Sequence, residues 1–425
     1  MNWSAKSTGI VAIVVVVVMT VVLGLTATAI PVDQAEATPT DVAVPPDAVP
    51  SDSSPVSAWY ENPAELKGDA GTFIKSQPIA DAPEGVEAYR MMYVSEDVHN
   101  NEIAVTALVL FPKTPAPPEG FPLIAYGHGT TGSTPQCGLS EAPFTKNTPG
   151  FYVYDVQLRQ LLDQGYAVVA SDYENMGTKG TPMYLMGKTQ AQNVLDSVRA
   201  IWETRDDVDH SRTMAYGHSQ GGLTALSTAY YQQSYAPEIP LAGSVSLAPG
   251  LSPPVPFALE AVIKNPEPTG QTSFTLQLAR SWSAQFPDQL PVEEMTTEYG
   301  RTVGFQAIED YCGSSIKEHL DKPMNDYLPL PVPDSFYELS QFNTIMPPQY
   351  ETPVLLIQGM QDEAVLPAAN IAYVNYMCSQ GVPIEAGIWQ TENHNGVTVA
   401  SRDMVNDWMA ARFDGEPAGN DCMNR

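Results

Sequence analysis

Apolar and polar positions follow two periods along most of the chain. Short runs rich in β-branched and aromatic residues, such as EIAVTALVLF and PLIAYGHG, predict strands. Stretches with apolar residues at helical spacing, such as TQAQNVLDSVRAIWE, lie between the later strands. Because strands alternate with helices, we predict an α/β fold, with a mostly parallel central sheet covered by helices on both faces. EDVHNN joins the first two predicted strands, EAYRMMYVS and EIAVTALVLF, and indicates an antiparallel hairpin at one sheet edge.

The alternation of strands and helices stops between residues 251 and 344. This stretch is rich in proline, with aromatic residues, methionines and short helical patches, and the strand PVLLIQG then restores the alternation. We therefore predict a core formed by residues 58–250 and 345–425, interrupted by a helical cap at 251–344. The apolar cap residues either line an acyl tunnel or pack a small core of the cap itself: Phe257, Leu259, Phe274, Leu276, Leu278, Trp282 and Phe286.

The N-terminus predicts export. An uncharged apolar run follows Lys6, and two small-x-small sites, ATA and AEA, come after it. Residues 1–37 therefore fit a cleaved signal peptide, although the run is also long enough to act as an uncleaved membrane anchor. Residues 38–57 are rich in Pro, Ser, Asp and Ala and predict a disordered spacer. Either outcome places the remaining chain in a secreted or cell-surface location.

The composition of the chain limits the classes of molecule that it is expected to bind. The 425 residues are 43% hydrophobic and 16% charged, which suffices for a large folded domain, and the formal net charge is −29. So acidic a protein disfavours nucleic acid and anionic membranes as partners. No His and Cys spacing predicts a metal site, and we expect no cofactor and no obligate protein partner.

The chain has four cysteines, and none lies in a CxxC pair: Cys137, Cys312, Cys378 and Cys422. In an oxidising compartment an even number predicts two disulfides, for which three pairings are possible. Buried free thiols are the alternative.

Ser219 is the candidate nucleophile. It lies in Gly217-His218-Ser219-Gln220-Gly221, between a predicted strand and a predicted helix. This G-x-S-x-G pattern forms a sharp turn in which small neighbours let the chain pass closely and the serine hydroxyl stands above the sheet edge. The alternative is a glycine turn with a structural role.

A serine nucleophile needs a base, and the base needs a residue that orients it. Asp362 follows the apolar strand PVLLIQG, so we predict that it is the acid, with the adjacent Glu363 as its rival. Of the six histidines only His394 comes after Asp362, and it follows the last predicted strand. The chain order serine, acid, histidine therefore selects His394 as the base.

Two backbone N–H groups are expected to hold the oxyanion of the intermediate. One belongs to Gln220, which follows the nucleophile, and the other to the loop after an early strand. That loop is YGHGTTG, and Thr130 is the candidate there, since its hydroxyl can add a further hydrogen bond.

Three blocks beyond the elbow carry a family resemblance: HGTTGSTPQC, VVASDYENMGT and VLDSVRAIW. Together with YGHSQGG they resemble the secretory lipase family of the α/β-hydrolase superfamily, which includes yeast lipase A-like enzymes and actinobacterial secreted lipases. The resemblance extends from about Tyr60 to Met409. Asn175 departs from it, because family members usually have glycine after Asp-Tyr-Glu, and CGLS replaces the more usual Cys-Ala-Pro-Ser.

The resemblance implies a serine hydrolase that cleaves carboxylic esters of lipids and carries a helical cap over its site. It implies the same three catalytic residues, an oxyanion position near Thr130, and disulfides Cys137–Cys312 and Cys378–Cys422. The expected partner is an ester or acylglycerol substrate, with transient contact at a lipid interface. Acyl-chain length, acyltransferase activity and oligomeric state stay open at this stage.

Two other functions stay open. A peptidase of the prolyl oligopeptidase type shares the fold and the order of the three residues, but the short N-terminal spacer leaves no room for the large propeller of those enzymes. A catalytically inactive binding module would be expected to have lost one of the three residues, and all three are present.

Overall fold

A single nine-stranded sheet forms the centre of the molecule. The computed structural model describes residues 57–251, 270–342 and 351–424, so the predicted signal or anchor, nearly all of the spacer and the first part of the predicted cap lie outside the described residues. The strands, in chain order, are β1 Phe73–Pro78, β2 Val86–Glu96, β3 Glu102–Pro112, β4 Phe121–Gly127, β5 Ala167–Ser171, β6 Val208–His218, β7 Leu241–Leu247, β8 Val354–Gly359 and β9 Glu385–Trp389.

The sheet order is β1-β2-β3-β5-β4-β6-β7-β8-β9. Strands β4 to β9 pair in parallel, whereas β1, β2 and β3 pair antiparallel with their neighbours. The predicted parallel sheet with an antiparallel hairpin is therefore confirmed. Strand β1 was not predicted; its sequence FIKSQP is polar in its second half and half-buried to exposed, as befits an edge strand.

Both faces of the sheet are buried. On β4, Ile124 and Tyr126 belong to the apolar cluster of one face, and Leu123 and Ala125 belong to the cluster of the other. Every residue of β4 is buried, which explains why the sequence of this strand is continuously apolar rather than alternating.

Helices cover both faces. The described helices are α1 Pro149–Val153, α2 Arg159–Asp163, α3 Gly187–Thr204, α4 Gln220–Tyr235, α5 Gly270–Gln285, α6 Val292–Met295, α7 Phe305–Asp310, α8 Ser315–Glu318, α9 Met324–Tyr327, α10 Asp334–Phe342, α11 Pro367–Ser379, α12 Gly396–Ala400 and α13 Arg402–Phe413. A turn of π-helix, Tyr154–Leu158, joins α1 to α2 where the sequence predicted one helix. The predicted last helix is divided at Ser401 into α12 and α13.

Helices α5 to α10 lie between β7 and β8 and form an apolar cluster together with Met183, Tyr184 and Met186 of the segment before α3. We call them the inserted helices. Leu276, Leu278 and Trp282 are buried in this cluster and Phe286 packs against it, which supports the prediction that they pack the core of the cap. Phe274 is half-buried and lies outside the cluster, while Phe257 and Leu259 are outside the described residues.

Two disulfides are present, and no described cysteine is free. Cys137–Cys312 joins the loop after β4 to the inserted helices, and Cys378–Cys422 joins the end of α11 to the C-terminus. Both are the pairs that the family resemblance implies. Within the described ranges no helix is long and apolar enough to cross a membrane.

Candidate active site

Ser219 occupies a strained turn between β6 and α4. Its backbone angles are φ 61° and ψ −120°, a conformation that L-residues rarely adopt. Two hydrogen bonds hold the turn in place: the Ser219 N–H donates to the Leu247 carbonyl at 2.9 Å, and the Gly250 N–H donates to the Ser219 carbonyl at 2.9 Å. The C-terminal end of β7 therefore fixes the serine backbone from both sides. Strain of this kind persists only where the surrounding structure imposes it.

The glycines around Ser219 are sterically required. A Cβ on Gly217 would lie 2.1 Å from the Gly221 carbonyl oxygen, and a Cβ on Gly221 would lie 1.9 Å from the Gly127 carbonyl oxygen. Neither distance is possible for real atoms. The G-x-S-x-G spacing thus lets the first turn of α4 pack directly on the ends of β6 and β4.

Asp362 and His394 form a hydrogen-bonded pair. The Asp362 carboxylate lies in the loop after β8, and its Oδ2 is 2.7 Å from Nδ1 of His394 in the loop after β9. Its other oxygen, Oδ1, accepts from the N–H groups of Ala364 and Val365 at 2.9 and 2.7 Å. Asp362 is thereby locked in one rotamer. Glu363 makes no hydrogen bond to His394.

Asp362 is held as a carboxylate. Burial alone would raise the pKa of this group, but its hydrogen bond to His394 and the donors around it hold the pKa below the usual value. Gln358 on β8 contributes, since its Nε2 donates to Oδ2 at 3.1 Å and its Oε1 accepts from Asn370 Nδ2 at 2.5 Å. Sequence reasoning did not identify Gln358; a polar residue within the otherwise apolar strand PVLLIQG was the available signal.

His218 brings the His394 loop against the serine turn. Its Nε2 donates to the His394 carbonyl at 2.8 Å, and the two rings lie 4.5 Å apart between centroids. Burial, together with the charge of His394, lowers the pKa of His218 to about 3, so this ring is neutral. The histidine that precedes Ser219 therefore ties the His394 loop to the turn, a role that its position in the motif did not reveal.

The loop after β4 borders Ser219 on the other side. A Cβ on Gly129 would lie 3.6 Å from the Ser219 Cβ, so this loop passes directly beside the nucleophile candidate. The next residue, Thr130, directs its hydroxyl to the Tyr184 hydroxyl, 2.8 Å away. Gln220 is the first residue of α4, where backbone N–H groups have no partner within the helix. Thr130 directly follows Gly129, and Gln220 directly follows Ser219; their role as oxyanion donors stays a prediction.

Tyr173 of the Asp-Tyr-Glu block contacts the loop after β4 through His128. Tyr173 stacks on the His128 ring with centroids 4.3 Å apart, and its hydroxyl donates to the His128 carbonyl at 2.9 Å. Asn175 has φ 57°, the left-handed conformation that glycine adopts freely and asparagine tolerates. Asparagine is therefore compatible with the backbone conformation of this loop, and the Asn175 side chain donates to the Thr181 carbonyl at 3.1 Å.

Helix α5 crosses three of the loops that surround Ser219. Gln271 donates to the Ala364 carbonyl beside Asp362 at 2.7 Å, and Arg280 donates to the Ser133 carbonyl in the loop after β4 at 3.0 Å. Trp282 donates through Nε1 to the Tyr184 carbonyl at 2.9 Å. The helix thereby connects the Asp362 loop, the Thr130 loop and the segment that precedes α3. No group of three or more His, Cys, Asp or Glu suited to a metal ion occurs among the residues described.

Comparison with known proteins finds that this chain is similar to lipases. Residues 146–251 match the model of the secretory lipase family. Lipase 4 of Candida albicans is 24% identical over 401 residues, which cover 86% of this chain and 83% of that protein. A Mycobacterium tuberculosis protein named "Probable inactive lipase" is 24% identical over 371 residues, 82% of this chain and 79% of its own length.

The fold is shared with a solved lipase structure. Candida antarctica lipase A in its closed state superposes with a TM-score of 0.69 at 17% identity, covering 86% of this chain and 87% of that one. At this level of identity the likeness concerns the fold, which is that of the α/β-hydrolases.

Proposed function

We propose that this chain, a relative of the secretory lipases with the α/β-hydrolase fold, hydrolyses carboxylic esters of lipids through an acyl-enzyme on Ser219. The observation that carries the proposal is the Asp362–His394 pair, 2.7 Å between the bonded atoms, whose histidine loop is tied through His218 to the strained turn of Ser219. A structural glycine turn would need neither the strain nor the oriented imidazole.

The mechanism follows from the groups in place. Since the Asp362 carboxylate accepts from Nδ1 of His394, Nε2 is left unprotonated and acts as the base that takes the Ser219 proton during attack on the ester carbonyl. The N–H groups of Thr130 and Gln220 hold the tetrahedral oxyanion. His394 then protonates the departing alcohol, and the same base activates the water that hydrolyses the acyl-enzyme.

Labelling and hydrolysis together test the proposal. The purified protein should react with a fluorophosphonate probe and hydrolyse p-nitrophenyl esters, and Ser219→Ala should lose both activities by several orders of magnitude. Ser234→Ala is the matched control, because Ser234 is an exposed serine at the other end of the same helix. Equal rates for wild type and Ser219→Ala would refute the serine mechanism.

A binding module without catalysis is the second candidate, because one relative is named as an inactive lipase. That function requires no reaction at Ser219. Absence of fluorophosphonate labelling in a folded protein that still binds an acylglycerol would favour it over hydrolysis.

We further propose that the protein is exported, with residues 1–37 as signal or anchor and residues 251–344 as the cap over a core of residues 58–250 and 345–425. Two disulfides fit an oxidising compartment. Protein in the culture medium whose mass corresponds to cleavage after Ala29 or Ala37 would indicate a signal peptide. Full-length protein in the membrane fraction would indicate an uncleaved anchor.

A further inference from the structure

Tyr184 is the only described side chain to which the Thr130 hydroxyl is hydrogen-bonded. The two hydroxyl oxygens are 2.8 Å apart, and the tyrosine ring is buried. Tyr184 lies in the segment Met183–Met186, just before α3, and belongs to none of the three motif blocks that carry the family resemblance. Neither the motifs nor the predicted chemistry assigns it a role.

The direction of this hydrogen bond matters for an oxyanion. A threonine hydroxyl has one proton, so it can donate to an oxyanion only if it accepts from its other neighbour. Burial raises the pKa of Tyr184 well above its ordinary value, so the phenol stays protonated and can be the donor. The Tyr184 O–H then polarises the Thr130 O–H, which strengthens its donation to a developing negative charge.

The backbone of Tyr184 is fixed by the inserted helices. Its N–H donates to Ser281 Oγ at 2.7 Å, and its carbonyl accepts from Trp282 Nε1 at 2.9 Å, both on α5. Trp282 is itself completely buried and packs against Phe336 of α10. The ring of Tyr184 therefore packs in the apolar cluster of the inserted helices, while its hydroxyl contacts Thr130 in the loop after β4.

The next residue carries backbone strain. Leu185 has φ 51°, a left-handed conformation that is unfavourable for a leucine. Its Cδ2 would lie 3.6 Å from a Cβ on Gly250, and that Cβ would in turn lie 3.7 Å from the Gln220 nitrogen. The strained segment thus contacts Thr130 through Tyr184 and passes beside Gly250, whose N–H donates to the Ser219 carbonyl.

We propose that Tyr184 is a positioning residue that sets the Thr130 hydroxyl as a third hydrogen-bond donor to the oxyanion, and that the inserted helices control this donor through Ser281 and Trp282. The inference rests on the proposed function and deepens it. It assigns the inserted helices a part in the chemical step in addition to covering the site.

A double-mutant cycle tests this role with p-nitrophenyl butyrate as a soluble substrate. Thr130→Val should lower kcat about 100-fold, as loss of one oxyanion donor does. Tyr184→Phe should lower kcat about tenfold with KM changed less than about twofold, because the hydrogen bond acts on the transition state. The double variant should match Thr130→Val within about twofold, since Tyr184 acts only through Thr130.

Two controls separate positioning from packing. Tyr93→Phe also removes a buried hydroxyl, one bonded to Ser171 Oγ at 2.7 Å, and should lower the melting temperature to a similar extent with kcat unchanged. Thr130→Ser keeps the hydroxyl and should restore most of the activity lost in Thr130→Val. A trifluoromethyl ketone, which forms a tetrahedral oxyanion on serine, should lose affinity for Tyr184→Phe by the same factor as kcat/KM.

Equal kcat for Tyr184→Phe and Tyr93→Phe, or losses that multiply in the double variant, would overturn the role of Tyr184. Unchanged kcat in Thr130→Val would overturn it as well, because the backbone N–H of Thr130 would then suffice. All three results leave the serine mechanism standing, whereas activity retained by Ser219→Ala removes the proposed function itself.

Discussion

The two sides of Ser219 are held by different kinds of contact. The acid–histidine side, made of Asp362, His394, His218 and Gln358, depends on the loops that follow β8 and β9 and on polar contacts within the core. The oxyanion side, centred on Thr130, depends on Tyr184 and through it on helix α5. The oxyanion side is therefore coupled to the inserted helices through the side chain of Tyr184, whereas on the acid–histidine side Gln271 of α5 contacts only backbone carbonyls beside Asp362.

Breaking the acid–histidine side should have the largest effect on rate. Asp362→Asn keeps the shape of the side chain but removes the charge that orients and stabilises the imidazolium, so kcat should fall about 10⁴-fold. Glu363→Gln, the adjacent acid, should change kcat less than about twofold. Steady-state kinetics on both variants check this, and equal losses would contradict the choice of Asp362.

The two disulfides differ in their connection to the oxyanion side, so removing each of them tests the comparison. Cys137–Cys312 closes 175 residues of chain and Cys378–Cys422 closes 44, so the paired Cys→Ala variants should lose about 5 and about 4 kcal/mol of unfolding free energy if denatured-state entropy dominates. Only the first pair joins the Thr130 loop to the inserted helices. We expect loss of Cys137–Cys312 to lower kcat as well, and loss of Cys378–Cys422 to leave kcat unchanged.

Urea unfolding and kinetics below the unfolding transition measure the two effects separately. An equal fall in kcat for both paired variants would show that general loosening, rather than the connection between the Thr130 loop and the inserted helices, determines the rate.

Glu174 lies where the core meets α5, and its stability contribution should depend on pH. Burial, and then the charge of Asp97, raises the pKa of Glu174 to about 8, while Gln285 donates to its Oε1 at 3.0 Å and its Oε2 has no hydrogen-bond partner among the described residues. The folded protein binds this proton more tightly than the unfolded chain does. The stabilisation that Glu174 contributes is therefore complete below the ordinary pKa of a glutamate and is lost as pH rises through 8.

Glu174→Gln tests that dependence, because glutamine is neutral at every pH. Between pH 5 and pH 9 the wild type should lose on the order of 4 kcal/mol more unfolding free energy than the variant. Glu293→Gln, on the first turn of α6, should follow the wild-type pH dependence. Parallel curves for wild type and Glu174→Gln would contradict a neutral Glu174.

The sequence predicts the sheet and the three candidate catalytic residues, Ser219, Asp362 and His394, because each of these features depends on a local pattern. Apolar runs define the strands, Gly217 and Gly221 satisfy a steric need that no other residue meets, and the chain order of Asp362 and His394 follows the order of the strands. Tyr184, Gln358 and the tie from His218 to His394 could not be predicted in this way. Tyr184 and His218 contact residues distant in the sequence, and Gln358, although only four residues from Asp362, also contacts Asn370 on α11, so these contacts depend on how packed elements meet.

Phe274 offers the smallest and most specific test of the oxyanion side. It lies three residues from both Gln271, which contacts the Asp362 loop, and Gln277, whose Oε1 accepts from Ser133 at 2.6 Å, so all three share the face of α5 toward Ser219. Phe274→Ala should shift the preferred acyl length by a fewfold change in kcat/KM across p-nitrophenyl esters from acetate to palmitate, because a larger apolar space accepts longer chains. Leu278→Ala, buried in the core of the inserted helices, should instead lower stability and leave the relative rates of the esters unchanged. If Leu278→Ala shifts the preference and Phe274→Ala does not, the acyl chain lies within the inserted helices and the core assigned to them is wrong.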